Sequence, residues 1–314
     1  MTKKLISVVI PAYNETANIA TTCNDVIKAL PISYDYEIVV VDDGSSDNTV
    51  NVLRQLHSEN PKIKLMAFSR NFGKELATTA GLEHARGVAT IIIDADGQHP
   101  AELIPEFIRL WENGAQVVVG VRASDAHEGF IKKWGSKFFY RLMLRLTRIK
   151  MVPASTDFRL VDKEVRKAFT ELHESNRITR GLIDWLGFDV IYLEFHAKER
   201  MHGTATYSVR KLINLAFNTF VSLSFLPLYL SGYIGIAMTG ISLLGGLFII
   251  IEEGLLHDPM GLNITSSGML GLLTVFLIGI VLTGQGLTAL YISRIYEEVK
   301  HRPLYVINQR ESIL

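Results

Sequence analysis

One cysteine, Cys23, is all the thiol chemistry in this 314-residue chain. That excludes a disulfide scaffold and any zinc site built on paired cysteines. An excess of charge is missing too, since Lys and Arg number 32 and Asp and Glu 32. Zero net charge excludes nucleic-acid binding by bulk electrostatics, so no nucleic-acid partner is expected. With 48% hydrophobic residues and a mean hydropathy of +0.22, disorder is excluded. The chain is also more apolar than an ordinary soluble enzyme.

Charge itself is absent over long runs, and no Asp, Glu, Lys or Arg falls between Leu212 and Ile251. Residues 228–251 and 268–292 are each long enough to cross a hydrocarbon core of ~30 Å as a helix. Two membrane spans are therefore expected, rather than a pair of buried core helices. The connecting loop, 252–267, holds Glu252, Glu253 and Asp258 and no Lys or Arg. Lys198, Arg200, Arg210 and Lys211 precede the pair, and Arg294, Lys300 and Arg302 follow it. The positive-inside rule then places residues 1–206 and the tail 293–314 in the cytoplasm and the loop outside, at an inner (cytoplasmic) membrane. Small residues one turn apart, Ser231 with Gly235 and Ser242 with Gly246, suit packing of spans into a homo-oligomer.

Ahead of the spans, short apolar runs alternate with helical patterns. The runs are Leu5–Ile10, Glu37–Val41, Ile63–Phe68, Thr90–Ile93 and Val117–Gly120. The helical patterns are Ala17–Leu30, Thr49–Glu59, Lys74–Arg86 and Ala101–Asn113. This alternation predicts an α/β domain, Rossmann-like, with a mainly parallel sheet covered on both faces. Ligands bind such sheets outside the carboxyl ends of the strands.

Polar clusters sit at those ends. The first is Pro11-Ala12-Tyr13-Asn14-Glu15 and the second Asp42-Asp43-Gly44-Ser45-Ser46-Asp47. Asp42 and Asp43 suit a ribose, a base edge, a metal or a helix cap; Ser45 and Asp47 read as caps. Ser69-Arg70-Asn71-Phe72-Gly73-Lys74 is the third, and Asp94-Ala95-Asp96-Gly97-Gln98-His99 the fourth. Two carboxylates spaced i, i+2 at the end of a buried strand repel unless a cation lies between them. Hard oxygen donors of this kind suit Mg²⁺ or Mn²⁺ shared with a diphosphate. His84 and His99 have no partners at metal spacing and read as structural.

In order, PAYNE, VVDDGSSDNT, SRNFGKELATTAGLEHARG, DADGQHPAEL, GVRAS and STDFRLVD resemble the family 2 glycosyltransferases of the GT-A fold. The similarity is to their polyprenyl-phosphate subset, which includes dolichyl-phosphate mannose synthase and bacterial undecaprenyl-phosphate (bactoprenol) glucosyltransferases. The spans and the segment RIYEEVKHRPLYVI that follows look most like the bacterial branch of cell-envelope and O-antigen (lipopolysaccharide) glucosylation. The resemblance implies transfer of a hexose, glucose from UDP-glucose, with inversion onto undecaprenyl phosphate. It assigns Pro11, Ala12, Tyr13, Glu15, Asp42, Asp43 and Lys74 to the nucleotide sugar. Asp94, Ala95 and Asp96 would face ribose and diphosphate, with Asp96 the chief metal ligand and Gln98 beside it. Asp157 matches the position usually proposed as catalytic base. Arg200 opens the family's loop R-x-x-G-x-S-K-Y, which closes on the nucleotide. Here Ala205 and Thr206 replace its serine and lysine. Rival readings are a processive polysaccharide synthase, whose Gln-x-x-Arg-Trp motif is absent, and a non-catalytic sensor of nucleotide sugars.

The implied acceptor, a phosphate monoester with a second pKa near ~6, is already a nucleophile at neutral pH. Asp157 then has more reason to position a cation or the sugar than to take a proton. Bringing two polyanions together needs cations, which gives Arg122, Arg159 and Arg200 a purpose at the donor and lipid phosphates.

A lipid acceptor also requires contact with the bilayer. From Phe130 to Lys150 there is no acid. Ile131, Trp134, Phe138, Leu142, Leu146 and Ile149 recur on one helical face, and Lys133, Lys137, Arg141, Arg145 and Arg148 form a stripe beside them. The pattern predicts an interfacial helix over about 130–150, with Lys133, Trp134, Lys137, Phe138 and Arg141 at the headgroups. Residues 207–227 are expected to continue as an amphipathic juxtamembrane helix, broken at Pro227. Replacing Lys133, Lys137 and Arg141 by Gln removes about 1 kcal/mol of surface attraction per charge. Turnover of a long-chain polyprenyl phosphate should fall while a short, water-soluble prenyl phosphate is used as before. Equal losses with both acceptors in a radiolabel assay would assign the stripe to the fold or the donor site.

Overall fold

The computed structural model describes residues 3–123, 155–174, 177–196, 266–300 and 302–314, together with Leu244, Leu247 and Ile251. The chain divides into two compact units. One comprises 1–208 and 302–314, the other 209–301.

The first unit is built on a seven-stranded sheet. Its strands are β1 (Leu5–Ala12), β2 (Asp35–Asp42), β3 (Ile63–Ala67), β4 (Ala89–Ile92), β5 (Val117–Arg122), β6 (Ser155–Asp162) and β7 (Val190–Phe195). The order is β3-β2-β1-β4-β6-β5-β7. The pairs β1–β2, β2–β3, β1–β4 and β5–β7 are parallel, whereas β6 runs antiparallel to both β4 and β5. Helices α1 (Ile19–Ala29), α2 (Thr49–Glu59), α3 (Lys74–His84), α4 (Ile104–Glu112), α5 (Lys163–Thr170) and α6 (Thr179–Trp185) cover it. The expected helix over Ala101–Asn113 is split, with a 3-10 turn at Ala101–Leu103 and Pro105 opening α4. Proline tolerates the first turn of a helix but not its interior.

Strand alternation sorts the side chains to two faces. Ile6, Val8 and Ile10 of β1 join Ile38 and Val40 of β2 against α1, α2 and α4, through Cys23, Leu53 and Phe107. On the opposite face Val39, Val41 and Met66 meet Ala77 and Ala80 of α3, while Ile92, Val117, Val119 and Val161 meet Val165, Phe169 and Leu182 of α5 and α6. Helix α3 lies close to the sheet because the residues it turns to the sheet are small: Ala77 and Ala80 pack with Val39, Val41 and Met66, and Gly81 abuts Val9.

The parallel strands β1, β2, β3 and β4 deliver their carboxyl ends to one edge. Antiparallel β6 begins at that same edge, because Ile92 of β4 pairs with Arg159. Ser155–Asp157 therefore lie beyond the carboxyl end of β4, opposite the end of β5, where Val121 pairs with Ser155. No strand was expected over Ser155–Asp162; the fold adds one, and its reversed direction brings STDFRLVD to the polar edge.

In the second unit the described helix is α7, Ser266–Val299, of 34 residues. Among the described residues no helix is long and apolar enough to cross a membrane, so the expected pair of spans is not shown by the fold. The first stretch, 228–251, lies outside the described residues but for Leu244, Leu247 and Ile251. The interfacial helix over 130–150, with Lys133, Trp134, Lys137, Phe138 and Arg141, lies outside them too. So do the Arg200 loop, the juxtamembrane segment 207–227 and most of the 252–267 loop.

Gly81 has the tightest approach of α3 to the sheet, since a Cβ there would stand 2.2 Å from Val9 Cγ1. Gly81→Ala should lower unfolding stability by about 1–3 kcal/mol, the usual cost of overpacking a dense core. Chemical denaturation of the full chain measures it, and an unchanged midpoint would show that α3 can lift off β1 without cost.

Candidate active site

The first part of the polar edge is built from two loops that hold each other. Ser45 Oγ accepts the Asn14 N–H at 2.8 Å, and Asn14 Oδ1 accepts the Ser46 N–H at 2.8 Å. Asn14 takes a positive φ of 55° to do so, a conformation Asn tolerates. Asp47 accepts both the Thr16 and Thr49 hydroxyls and the Thr49 N–H. Asp47 thus serves the start of α2 as expected. Ser45 does not cap α2, because its side chain is committed to the β1 loop. Glu15 donates its N–H to Thr49 Oγ1 at 2.9 Å, and its carboxylate accepts from Asn18. Pro11 and Ala12 are buried at the end of β1, and Tyr13 stands exposed beyond them.

The paired carboxylates of the second cluster have different duties. Asp43 is buried and accepts the N–H groups of Phe72 (2.7 Å) and Gly73 (2.9 Å), fastening the third loop to the second. Asp42 is buried as well; its Oδ2 accepts the Ser45 N–H at 3.0 Å, and its Oδ1 has no hydrogen-bond partner. A buried acceptor left open is costly unless a ligand donor meets it. Burial pushes both carboxyls up from their ordinary range. Of the two, Asp42 keeps an acceptor open and Asp43 holds the loop.

At the centre lies Lys74, the first residue of α3. Its ammonium is 2.6 Å from Asp94 Oδ1 and 2.8 Å from Asp157 Oδ2, joining the end of β4 to the start of β6. Arg180 of α6 reaches the other Asp157 oxygen at 3.0 Å. Burial by itself would raise the Asp157 carboxyl; Lys74 and then Arg180 overcome this and hold it well below the usual carboxylate range. Lys74 is correspondingly held above its own, since the two carboxylates outweigh its burial.

Asp96 accepts the Gln98 N–H at 3.1 Å, and Gln98 Oε1 accepts from Arg122 Nη2 at 2.9 Å. Arg122 thereby joins the fourth cluster through Gln98. Ala95 is buried, with its carbonyl accepting the Thr22 hydroxyl at 3.0 Å. His99 is stacked on Phe158 at 5.3 Å and accepts the Asp94 N–H at 3.3 Å. Burial lowers its pKa, so the neutral ring acts as a brace. Arg159 is not on the open edge: it is buried, donates to the Thr156 carbonyl and faces Asp184 at 3.9 Å.

Among the described residues no three His, Cys, Asp or Glu side chains form a ready-made metal cage. The donor set at the fourth cluster is two carboxylates and an amide oxygen, a partial shell that suits a cation completed by phosphate oxygens.

The glycosyl transferase family 2 pattern matches residues 7–169, which span these loops from β1 to α5. The chain belongs to glycosyl transferase family 2. It is a sugar-transferring enzyme. An uncharacterized glycosyltransferase of Synechocystis sp. is 37% identical over 304 residues, 96% of this chain and 94% of that one. The bactoprenol glucosyl transferase of Shigella phage SfV is 36% identical over 309 residues, 98% of this chain and 99% of its own. Among solved structures, a glucosyl-3-phosphoglycerate synthase from Mycobacterium tuberculosis, crystallised with Mn²⁺, UDP and glucosyl-3-phosphoglycerate, superposes with a TM-score of 0.52. It covers 70% of this chain and 78% of its own at 18% identity, a likeness of fold that fits the mixed GT-A-type sheet.

Within this family 2 site the sequence had pointed to Asp94, Asp96, Gln98, Arg122, Lys74 and Asp157, and the fold brings these together. Arg180 and Asp184 had no signal in the sequence, because α6 carries no motif and reaches the edge only through packing; Arg159 was expected at a phosphate and is buried instead. Lys74 is held at the centre of the group by ion pairs to Asp94 and Asp157.

If Asp157 acts by holding Lys74 and Arg180, Asp157→Asn should slow turnover about 10- to 100-fold. That is the scale expected when two partly exposed cations lose the carboxylate that positions them. Raising the pH from 7 to 9 should not restore it, because the wild-type carboxyl is ionised throughout. Pairing Asp157→Asn with Lys74→Met should cost no more than the worse single change. A rate that climbs with pH in the mutant would instead assign Asp157 to proton removal.

Proposed function

We propose that this family 2 enzyme moves a hexose, glucose from UDP-glucose, onto a polyprenyl phosphate such as undecaprenyl phosphate, giving a lipid-linked sugar for cell-envelope or O-antigen glycosylation. The observation that carries the reading is the alternation of cations and carboxylates at one sheet edge, Lys74, Arg180 and Arg122 among Asp94, Asp96 and Asp157. Such an edge can receive two phosphate-bearing reactants without accumulating charge of one sign. The near full-length likeness to a relative named bactoprenol glucosyl transferase supports the lipid acceptor.

In this reading an acceptor phosphate oxygen attacks the anomeric carbon. The bond from that carbon to the β-phosphate oxygen breaks, the departing UDP takes its electron pair, and the anomeric configuration inverts. The nucleophile is already ionised, so no side chain need remove a proton. Asp42 receives the nucleoside, while Arg122 and the Lys74 ammonium face the phosphates. Asp94, Asp96 and Gln98 would hold a divalent cation, Mg²⁺ or Mn²⁺, which supplies charge neutralisation at the leaving diphosphate. The Mn²⁺ bound by the mycobacterial enzyme supports a divalent cation in this reading.

The acceptor's hydrocarbon tail calls for a membrane-bound enzyme. The charge-free run 268–292 falls within α7, whose described side chains Leu270, Val281 and Ile292 are exposed. An apolar surface of that kind suits lipid. Two spans, over 228–251 and 268–292, with the catalytic unit on the cytoplasmic side complete the reading.

The test uses the full chain in nanodiscs with UDP-glucose and undecaprenyl phosphate. UDP release should require the lipid, the product should be a single-sugar phosphodiester, and Asp96→Asn should lower turnover at least 100-fold, as loss of a metal-binding carboxylate does. Polymeric product would mark a processive synthase, and UDP-glucose binding without release a sensor. Activity undiminished in chelator would overturn the metal assignment, and a panel of labelled nucleotide sugars would overturn glucose if another donor is preferred.

A further inference from the structure

The segment Arg302–Leu314 packs onto the outer edge of the sheet, far along the chain from its partners. Ile313 and Ile307 bridge antiparallel to Leu65 and Phe68. Leu65 and Ile313 exchange both main-chain hydrogen bonds, at 2.8 and 2.7 Å. Asn308 donates its N–H to the Ala67 carbonyl at 2.8 Å, and Ser312 Oγ accepts the Ala67 N–H at 2.9 Å. An edge strand left open is a template for misassembly, so covering β3 has a structural use by itself.

At its upper end, however, the tail goes past the strand and into the site. The Ser69 N–H donates to the Val306 carbonyl at 2.9 Å, which fixes the first residue of the third loop. The Tyr305 ring stacks on Phe68 at 4.9 Å with 18° between planes, and Phe68 meets the Phe72 ring edge-on at 5.6 Å. The Tyr305 hydroxyl donates to Glu83, at the far end of α3. Tyr305 therefore grips both flanks of the segment from Phe68 to Glu83, whose middle carries the Phe72 and Gly73 amides bound to Asp43 and the Lys74 ammonium bound to Asp94 and Asp157. The same loop presses on the second one: a Cβ at Gly44, where φ is +70°, would stand 2.4 Å from the Arg70 carbonyl carbon.

We propose that the C-terminal tail is a positioning element of the donor site, with Tyr305 as its anchor. It holds the Ser69–Gly73 loop against Asp43 and so sets where the nucleotide is received. Phe68 and Phe72 by themselves leave the loop tethered on one side only; the Tyr305 stack and the Val306 carbonyl close the other. The inference rests on the nucleotide-sugar reading for its ligand, but not for its structural half.

Three variants of the full chain in nanodiscs test it: Tyr305→Ala, Tyr305→Phe, and Ile313→Ala at the opposite end of the bridge. UDP with Mn²⁺ is the probe in calorimetry, and amide hydrogen exchange of Phe72 and Gly73 is followed without ligand. Tyr305→Ala should weaken UDP about fivefold to tenfold, the scale of one lost aromatic pair with its hydrogen bond, and speed exchange at both amides. With donor saturating, kcat should stay within about twofold of wild type, so the loss falls on KM. Tyr305→Phe keeps the stack and should recover most of the affinity. Ile313→Ala should lower the melting temperature while leaving UDP affinity and both amides unchanged. Equal UDP losses in Tyr305→Ala and Ile313→Ala, or unaltered exchange in Tyr305→Ala, would overturn the proposal and reduce the tail to an edge cover. If wild type fails to bind UDP while Tyr305→Ala still frees the two amides, the nucleotide reading is what fails, and the tail's hold on the loop stands.

Discussion

Three carboxylates, Asp94, Asp96 and Asp157, converge at one end of an apolar sheet, and the ammonium of Lys74 lets two of them approach the same point. Like charges at that spacing repel strongly where water is partly excluded, so a cation has to be supplied by the protein or by the ligand. Lys74 supplies it because α3 starts where β3 ends, and Arg180 adds a second charge on the far side of Asp157. The arrangement is self-neutralising before a reactant arrives.

That balance depends on a reversal in the sheet. Had β6 run parallel to β4, Asp157 would have emerged at the opposite edge, far from Asp94. Because it runs antiparallel, Ser155–Asp157 come to the polar edge, and Arg159, two residues further in, is carried down into the sheet against Asp184. Two residues of one motif therefore take different roles. Asp157 works at the edge and Arg159 supports it from beneath, through burial and the Asp184 charge.

A second dependency links the loops. Asp43 fastens the third loop, Asn14, Ser45 and Asp47 fasten the first two, and the tail fastens the third from outside. Each tie is a hydrogen bond or a ring contact of modest worth by itself. Together they pre-order a site made of loops, so less ordering remains to be done when a ligand binds.

The first unit was legible in the sequence as far as Gly120, where the apolar runs match the first five strands within two residues and Thr49–Glu59 matches α2 in full; β6, β7, α5 and α6 were not expected. Side-chain alternation and helical periodicity are local properties, and so is the habit of parallel strands of ending in polar loops. The clusters at Pro11, Asp42, Ser69 and Asp94 could be placed at one edge for that reason, and the resemblance to family 2 singled out Asp157. Tertiary structure alone decided the pairings that make the cluster a site: the antiparallel sense of β6, the ion pairs of Lys74, the arrival of Arg180 and the burial of Arg159. It also decided that Ser45 would tie two loops rather than cap α2, and that residues 302–314 would return to β3. All of these join residues distant along the chain, and such contacts are set by which elements pack side by side, which local pattern does not encode.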